Sequence, residues 1–181
     1  HLDTADLYDF GENESIIGQT VKDKRQELMI TSKIGNHFNR EKETWFWDPS
    51  PSYLEKALDR SLQRLESDYL DLCLLHGGTI DDPIDDIIAT FERMKEKGKI
   101  RAYGISSIRP NVIHEYVHRS NIDAIMMQYN MLDNRPEELF PMIAKNKISV
   151  LARGPLAKGI LSSQAKEQIK KKAAHGYLSY D

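Results

Sequence analysis

The feature that most constrains this chain is a repeated alternation. Short apolar runs, LDTA, LMITSKIG, DYLDLCLLHGG, IRAYGISS, DAIMMQYN and ISVLARGPL, each end in a polar or small residue and are each followed by a helical pattern. Two-sided in their apolar character, with apolar stretches of strand length inside them, they suit strands of a parallel sheet covered on both faces. The helical segments follow a period of 3.6. In SYLEKALDRSLQRL, Leu54, Ala57, Leu58, Leu62 and Leu65 share one face, and Ser52 with Glu55 reads as a capping box. In PIDDIIATFERMKEKGKI, Ile84, Ile87, Ile88, Phe91 and Met94 form a stripe, acids crowd the first turn, and lysines precede Gly98. Shorter helices are expected at NESIIGQTVK, NVIHEYVHR and PEELFPMIAKN, the last bent or interrupted by Pro141.

Repeated strand–helix units with right-handed crossovers define an α/β domain, either an open doubly wound sheet or a (β/α)8 barrel. An open nucleotide-binding sheet would carry a glycine-rich turn after its first strand, and no GxGxxG occurs. A barrel accounts for more, because polar residues of chemical interest close nearly every strand, where barrel enzymes build their sites. Eight strands normally take about 250 residues. The 181 residues here hold about six of the eight units, in a single domain over 1–181. The expectation is one strand before His1 and one or more after Asp181.

Composition narrows the function class. The formal charge of −3 with no basic stripe gives no nucleic-acid footprint, and no apolar run approaches membrane length. With no signal-like N-terminus, and with one cysteine, Cys73, inside an apolar run, the expected setting is a soluble protein of the reducing cytoplasm. The tract KEQIKKKAAH, with lysines at 166, 170, 171 and 172, reads as a solvated face; its alternative is a contact to a cofactor phosphate.

The strand-end residues are Asp3, Lys33, His76, Ser106, Gln128 and Arg153, with Tyr8 one short loop beyond Asp3. Each alone has a structural explanation as a cap, a snorkelling lysine or a core histidine. Together they converge on one rim. A nearby ammonium stabilises a phenolate, a carboxylate keeps that lysine charged and aimed, and a histidine can hydrogen-bond a carbonyl oxygen. Asp, Lys, Tyr and His thus form a device for moving a proton to or from a carbonyl or alcohol oxygen. The histidines His37, His114, His118 and His175 show no ligand spacing with cysteines or acids, so no metal is expected.

The stretches LDTADLYDFGENESIIG, ITSKIG, YLDLCLLHGG, AYGISS, MMQYNML and VLARGPLAKGIL, in this order and spacing, resemble the aldo-keto reductases. The bacterial, NADPH-preferring general-stress branch is the most similar. The resemblance implies a (β/α)8 barrel that reduces aldehydes or ketones with NADPH. By matching position, Tyr8 is the proton donor, Lys33 its electrostatic partner, Asp3 the anchor of Lys33, and His76 the group that orients the substrate oxygen. Ser106 and Gln128 match residues that bind the nicotinamide carboxamide, with Ser107 where the family often has Asn. Gly154, Leu156 and Lys158 match a loop over the cofactor pyrophosphate. Arg153 departs from the aromatic common at its position. A guanidinium can stack on a ring, and its charge would favour neutral reduced cofactor over the cationic oxidised form.

In ETWFWDPS, Trp45 and Trp47 lie in a loop that either packs on the barrel or walls a pocket for apolar or aromatic carbonyl substrates. The adenosine-phosphate residues of the family fall mainly beyond Asp181. Two other readings stand beside the reductase: a non-catalytic nucleotide-sensing or docking module on the same fold, and a Schiff-base lyase using Lys33. Oligomeric state is not legible.

Overall fold

The computed structural model describes residues 1–174, with side chains described as far as Lys170; the side chains of Lys171 and Lys172, and His175, lie outside that range. Among the described residues there are eight strands and six α-helices, alternating except where β2, β3 and β4 follow one another directly. The strands are β1 (Leu2–Asp3), β2 (Ile30–Ile34), β3 (Asn36–Asn39), β4 (Thr44–Trp47), β5 (Leu70–Leu75), β6 (Ile100–Ser106), β7 (Ala124–Gln128) and β8 (Ser149–Arg153). The helices are α1 (Glu12–Val21), α2 (Pro51–Arg64), α3 (Ile84–Glu96), α4 (Pro110–Arg119), α5 (Phe140–Lys145) and α6 (Ala165–Ala174).

Six strands form one parallel sheet in the order β1-β2-β5-β6-β7-β8. Chain order and spatial order coincide, so every crossover steps the same way. A doubly wound sheet reverses direction at its switch point. The sheet is instead a curled arc of a (β/α)8 barrel, as the sequence implied.

Strand periodicity sorts the side chains into two cores. Ile30, Ile34, Cys73, Leu75, Tyr103, Ile105, Ile125 and Met127 face the helices and join the large apolar cluster with Leu54, Leu58, Ile87, Phe91 and Ile113. On the concave side Leu72, Leu74, Ala124 and Met126, flanked by Ala102 and Leu151, make a smaller cluster inside the barrel. Cys73 is buried among helix-facing residues, and burial pushes its thiol well above its ordinary range, as suits a core thiol.

Two local expectations are corrected. α2 begins two residues earlier than the proposed capping box: Ser50 is the N-cap, Pro51 opens the helix, and Ser52 already lies inside it. Asp48 makes the local bonds instead, its Oδ1 accepting from the Ser50 amide at 3.1 Å and the Ser50 hydroxyl at 2.6 Å. The segment around ETWFWDPS is an antiparallel hairpin, β3 with β4, rather than a loop. Its four-residue strands are too short to show alternation in the sequence, although Thr, Trp and Phe are residues a pleated surface favours. Before α5 the chain makes a 3-10 turn over Arg135–Leu139, and Pro141 falls in the first turn of α5, where its missing N–H is harmless.

Candidate active site

Period two along the strands explains why the reactive residues meet. Leu72 and Leu74 point into the barrel, so His76 follows on the same side, one residue past β5. Lys33 pairs in register with Leu74, Asp3 with Thr31, and Gln128 with Arg153, while Ser106 sits opposite Met126. All six strand-end residues therefore share the interior parity and the C-terminal rim.

Lys33 anchors the centre. It is 1% exposed, and its three ammonium donors meet three oxygens: Asp3 Oδ2 at 2.9 Å, the Thr4 carbonyl at 2.7 Å and the Tyr8 hydroxyl at 3.4 Å. Its Nζ also lies 4.9 Å from the centroid of the Tyr8 ring. Thr4 is held in turn, its hydroxyl donating to Asn13 Oδ1 at 2.7 Å. The His76 ring meets Tyr8 edge-on, centroids 5.9 Å apart. Burial, then the charges of Lys33 and Arg153, hold the His76 imidazole down at about 4, so it is neutral near pH 7. Its Nδ1 is buried without a hydrogen-bond partner. The tautomer that leaves Nδ1 as a bare lone pair puts the proton on Nε2, where it is a donor.

The turn that presents Tyr8 is strained. Asp9, Phe10 and Gly11 have φ of 48°, 51° and 92°, and a Cβ at Gly11 would come within 2.8 Å of Arg64 Cδ. Such backbone collects at functional turns when the surroundings enforce it. Beneath the turn, Glu14 is fully buried; its carboxylate accepts from the Ser32 hydroxyl and from Arg64 Nε at 2.8 Å.

Beside this centre, His76, Ser106, Ser107, Gln128 and Arg153 line one cleft of about 240 Å³, together with Met126, Met127, Ile108 and Arg109. Ser107 is buried, and its Oγ accepts from the Arg109 amide at 3.2 Å, a turn-forming bond that leaves its O–H to donate elsewhere. Gln128 is partly engaged: its Nε2 donates to Asp133 Oδ2 at 3.0 Å, and its Oε1 accepts from Arg153 at 3.3 Å. Past β8, Gly154 has φ 67° and its carbonyl accepts from Asn130 Nδ2 at 3.0 Å. The amides of Ala157, Gly159, Ile160 and Leu161 are spent inside this turn, whereas among the described residues those of Gly154 and Leu156 make no backbone bond. Lys158, at φ 56°, completes the loop.

The hairpin follows β2 directly and closes back on Gly35, whose carbonyl accepts from the Asp48 amide at 2.9 Å. Trp47 lies against the backbone of Gly35 and Gly77, where an added Cβ would sit 2.6 Å and 3.5 Å from the indole, and its Nε1 donates to Asp82 Oδ1 at 3.0 Å. Trp47 is thus packed into the structure. Trp45, on the same hairpin face and opposite Phe38, is 57% exposed. Phe38 contacts Phe10, two residues past Tyr8, with centroids 6.0 Å apart.

Sequence reasoning missed the supporting polar residues: Asn130, Asp133, Asp82 and Asn36, whose Nδ2 donates to the His76 carbonyl at 3.3 Å, and the buried carboxyls of Asp6 and Glu14. A polar residue inside an apolar run is a faint signal for such burial; its partner comes from a distant loop that only the fold identifies.

Comparison with known proteins settles the ancestry. The profile of the Aldo/keto reductase family matches residues 1–177. The chain belongs to that family. It is 52% identical over 184 residues to the uncharacterized oxidoreductase YqkF of Bacillus subtilis, covering 99% of this chain and 59% of that protein. The NADH-specific methylglyoxal reductase of Escherichia coli is 32% identical, covering 89% of this chain and 53% of that protein. Among solved structures, the holo form of aldo-keto reductase AKR11C1 from Bacillus halodurans superposes with a TM-score of 0.88 at 57% identity, covering 90% of this chain and 54% of that one. The chain thus spans a little over half the length of these relatives.

Proposed function

We propose that the intact protein is a nicotinamide-dependent reductase of aldehydes and ketones, with NADPH as its cofactor and Tyr8 as the proton donor. The observation that carries this reading is the threefold anchorage of Lys33 by Asp3, the Thr4 carbonyl and the Tyr8 hydroxyl on the barrel rim.

When bound, the nicotinamide supplies the hydride. The chain's own residues do the rest. Neutral His76 donates from Nε2 to the substrate carbonyl oxygen and fixes it beside the Tyr8 hydroxyl. Tyr8 gives its proton to that oxygen as charge develops there, and the Lys33 ammonium stabilises the phenolate left behind. Asp3 keeps Lys33 charged and in place. Because all three lysine donors are occupied, Lys33 is poorly placed to act as a Schiff-base nucleophile, which needs a free neutral amine.

Residues fit for a dinucleotide lie alongside. Ser106, Ser107 and the second N–H and lone pairs of Gln128 are suited to a carboxamide. The unspent amides of Gly154 and Leu156, with Lys158, suit a pyrophosphate in a left-handed backbone turn. Arg153 faces the same cleft and favours the uncharged reduced ring. Trp45, Phe38 and Phe10 offer an apolar wall next to Tyr8, which favours aromatic or bulky apolar carbonyls.

The test is a fluorescence titration of the intact, purified protein with NADPH and NADH, followed by turnover on an aromatic aldehyde. Saturable binding with tighter NADPH and aldehyde-dependent cofactor oxidation are expected. A folded protein that binds neither nucleotide overturns the reading, and tighter NADH overturns the cofactor assignment.

A further inference from the structure

Helix α4 carries the sequence His114-Glu115-Tyr116-Val117-His118, two histidines one turn apart with an acid between them. This is the H-E-x-x-H pattern that places two imidazoles on one helical face for a metal ion. The ligands here are the two histidines themselves rather than a histidine paired with a cysteine or an acid. Tyr116 and Val117 are buried in the main core and hold α4 against the sheet, so the other face of the helix, with His114 and His118, looks to solvent.

The geometry goes beyond the pattern. The two rings are stacked nearly parallel, 12° between planes and 5.1 Å between centroids. His118 Nδ1 lies 2.7 Å from the His114 carbonyl oxygen. A carbonyl can only accept, so Nδ1 carries the proton and Nε2 presents a lone pair. That backbone bond is the arrangement by which metal-bound histidines are oriented and their tautomer fixed. Two imidazole nitrogens bound to one tetrahedral ion at about 2.0–2.1 Å stand roughly 3.3 Å apart, a closure that rotation of two exposed side chains at i and i+4 supplies.

The same surroundings exclude a hydrolytic centre. Glu115 is held by Arg119 at 2.8 Å, and Arg119 is shared with Asp85 at 2.6 Å, so the acid is not free to serve as a base. No group of three or more metal-ligating side chains occurs among the described residues. We propose that His114 and His118 form a two-histidine surface chelate for a borderline divalent transition ion, Zn²⁺, Ni²⁺ or Cu²⁺, with water in its remaining positions. Imidazole nitrogen selects such ions over Mg²⁺ and Ca²⁺, which prefer oxygen.

The test is calorimetric titration of tag-free intact protein with ZnCl2 and NiCl2, with MgCl2 as the control, on wild type, His114→Gln, His118→Gln and His37→Gln. One equivalent is expected for wild type and for His37→Gln. Losing even an outer-shell partner weakens metal sites about 10- to 100-fold, so loss of either α4 histidine should weaken binding by at least roughly tenfold. Helix content by circular dichroism confirms that the variants stay folded, as exposed positions should. Absence of binding to wild type, binding unchanged in both α4 variants, or equal binding of Mg²⁺ overturns the proposal. The readout is binding rather than turnover, so it stands apart from the fate of the reductase reading.

Discussion

Asp6 stands between Asp3 and Tyr8 in sequence, is 1% exposed, and has neither carboxyl oxygen hydrogen-bonded. Its neighbour Glu14 is engaged by Ser32 and Arg64. Burial first, and then the Glu14 charge, raise the Asp6 carboxyl from 3.8 to about 8. Folded protein therefore holds a proton on Asp6 at pH 7 that the unfolded chain has released. Where the folded state binds the extra proton, stability falls as pH rises, by about 1.4 kcal/mol per pH unit. Between pH 3.8 and 7 this amounts to about 4 kcal/mol. His76 acts in the opposite sense: neutral in the fold and charged in the unfolded chain below 6.5, it withdraws stability as pH falls from 6.5 to about 4. The two slopes cancel between pH 4 and 6.5, and wild type loses about 2 kcal/mol from Asp6 between pH 6.5 and 8. Asp6→Asn keeps the shape and needs no proton. Its amide adds a constant offset of about 1–3 kcal/mol for an unpaired polar group, so the slope rather than the intercept carries the test. Urea unfolding at intervals from pH 4 to 8 should show the variant gaining on wild type by about 1.4 kcal/mol per unit. Parallel profiles would refute the assignment of the buried proton to Asp6.

Other expectations follow from the same geometry. Lys33→Met should cut carbonyl reduction by about 10²- to 10⁴-fold, the usual worth of a positioned proton donor. It leaves Asp3 without its partner, and unchanged turnover would remove Lys33 from the chemistry. Arg153→Tyr should lower the preference for reduced over oxidised cofactor in paired fluorescence titrations; an unchanged affinity ratio would show that the guanidinium charge does not set it. Gly11→Ala places a Cβ at φ 92° and 2.8 Å from Arg64 Cδ, and should cost at least about 1 kcal/mol in chemical denaturation. A neutral result would mean that the turn relaxes freely.

The parts of this molecule that were legible in the sequence are those written in short-range periodicity. Strand order, inward parity and the meeting of Asp3, Tyr8, Lys33 and His76 follow from period-two strands linked by right-handed crossovers. What escaped depends on contacts between segments far apart in the chain. Trp47 is fixed by Gly35 after β2 and by Gly77 and Asp82 in the loop after β5, and nothing local marks it as more constrained than Trp45. Ser52 looks like a cap by its neighbours, but Pro51 starts the helix two residues sooner. Asp6 reads as another polar residue of a loop, and only the fold shows its carboxyl enclosed beside Glu14.

The central claim is that Tyr8 is the proton donor. Turnover and NADPH affinity of the intact protein, measured side by side for wild type and Tyr8→Phe, test it most directly. The account predicts that aldehyde reduction is abolished while NADPH titrates with nearly unchanged affinity, since the substitution removes one hydroxyl and little contact area. Turnover retained by Tyr8→Phe, in protein that still binds NADPH, would contradict it.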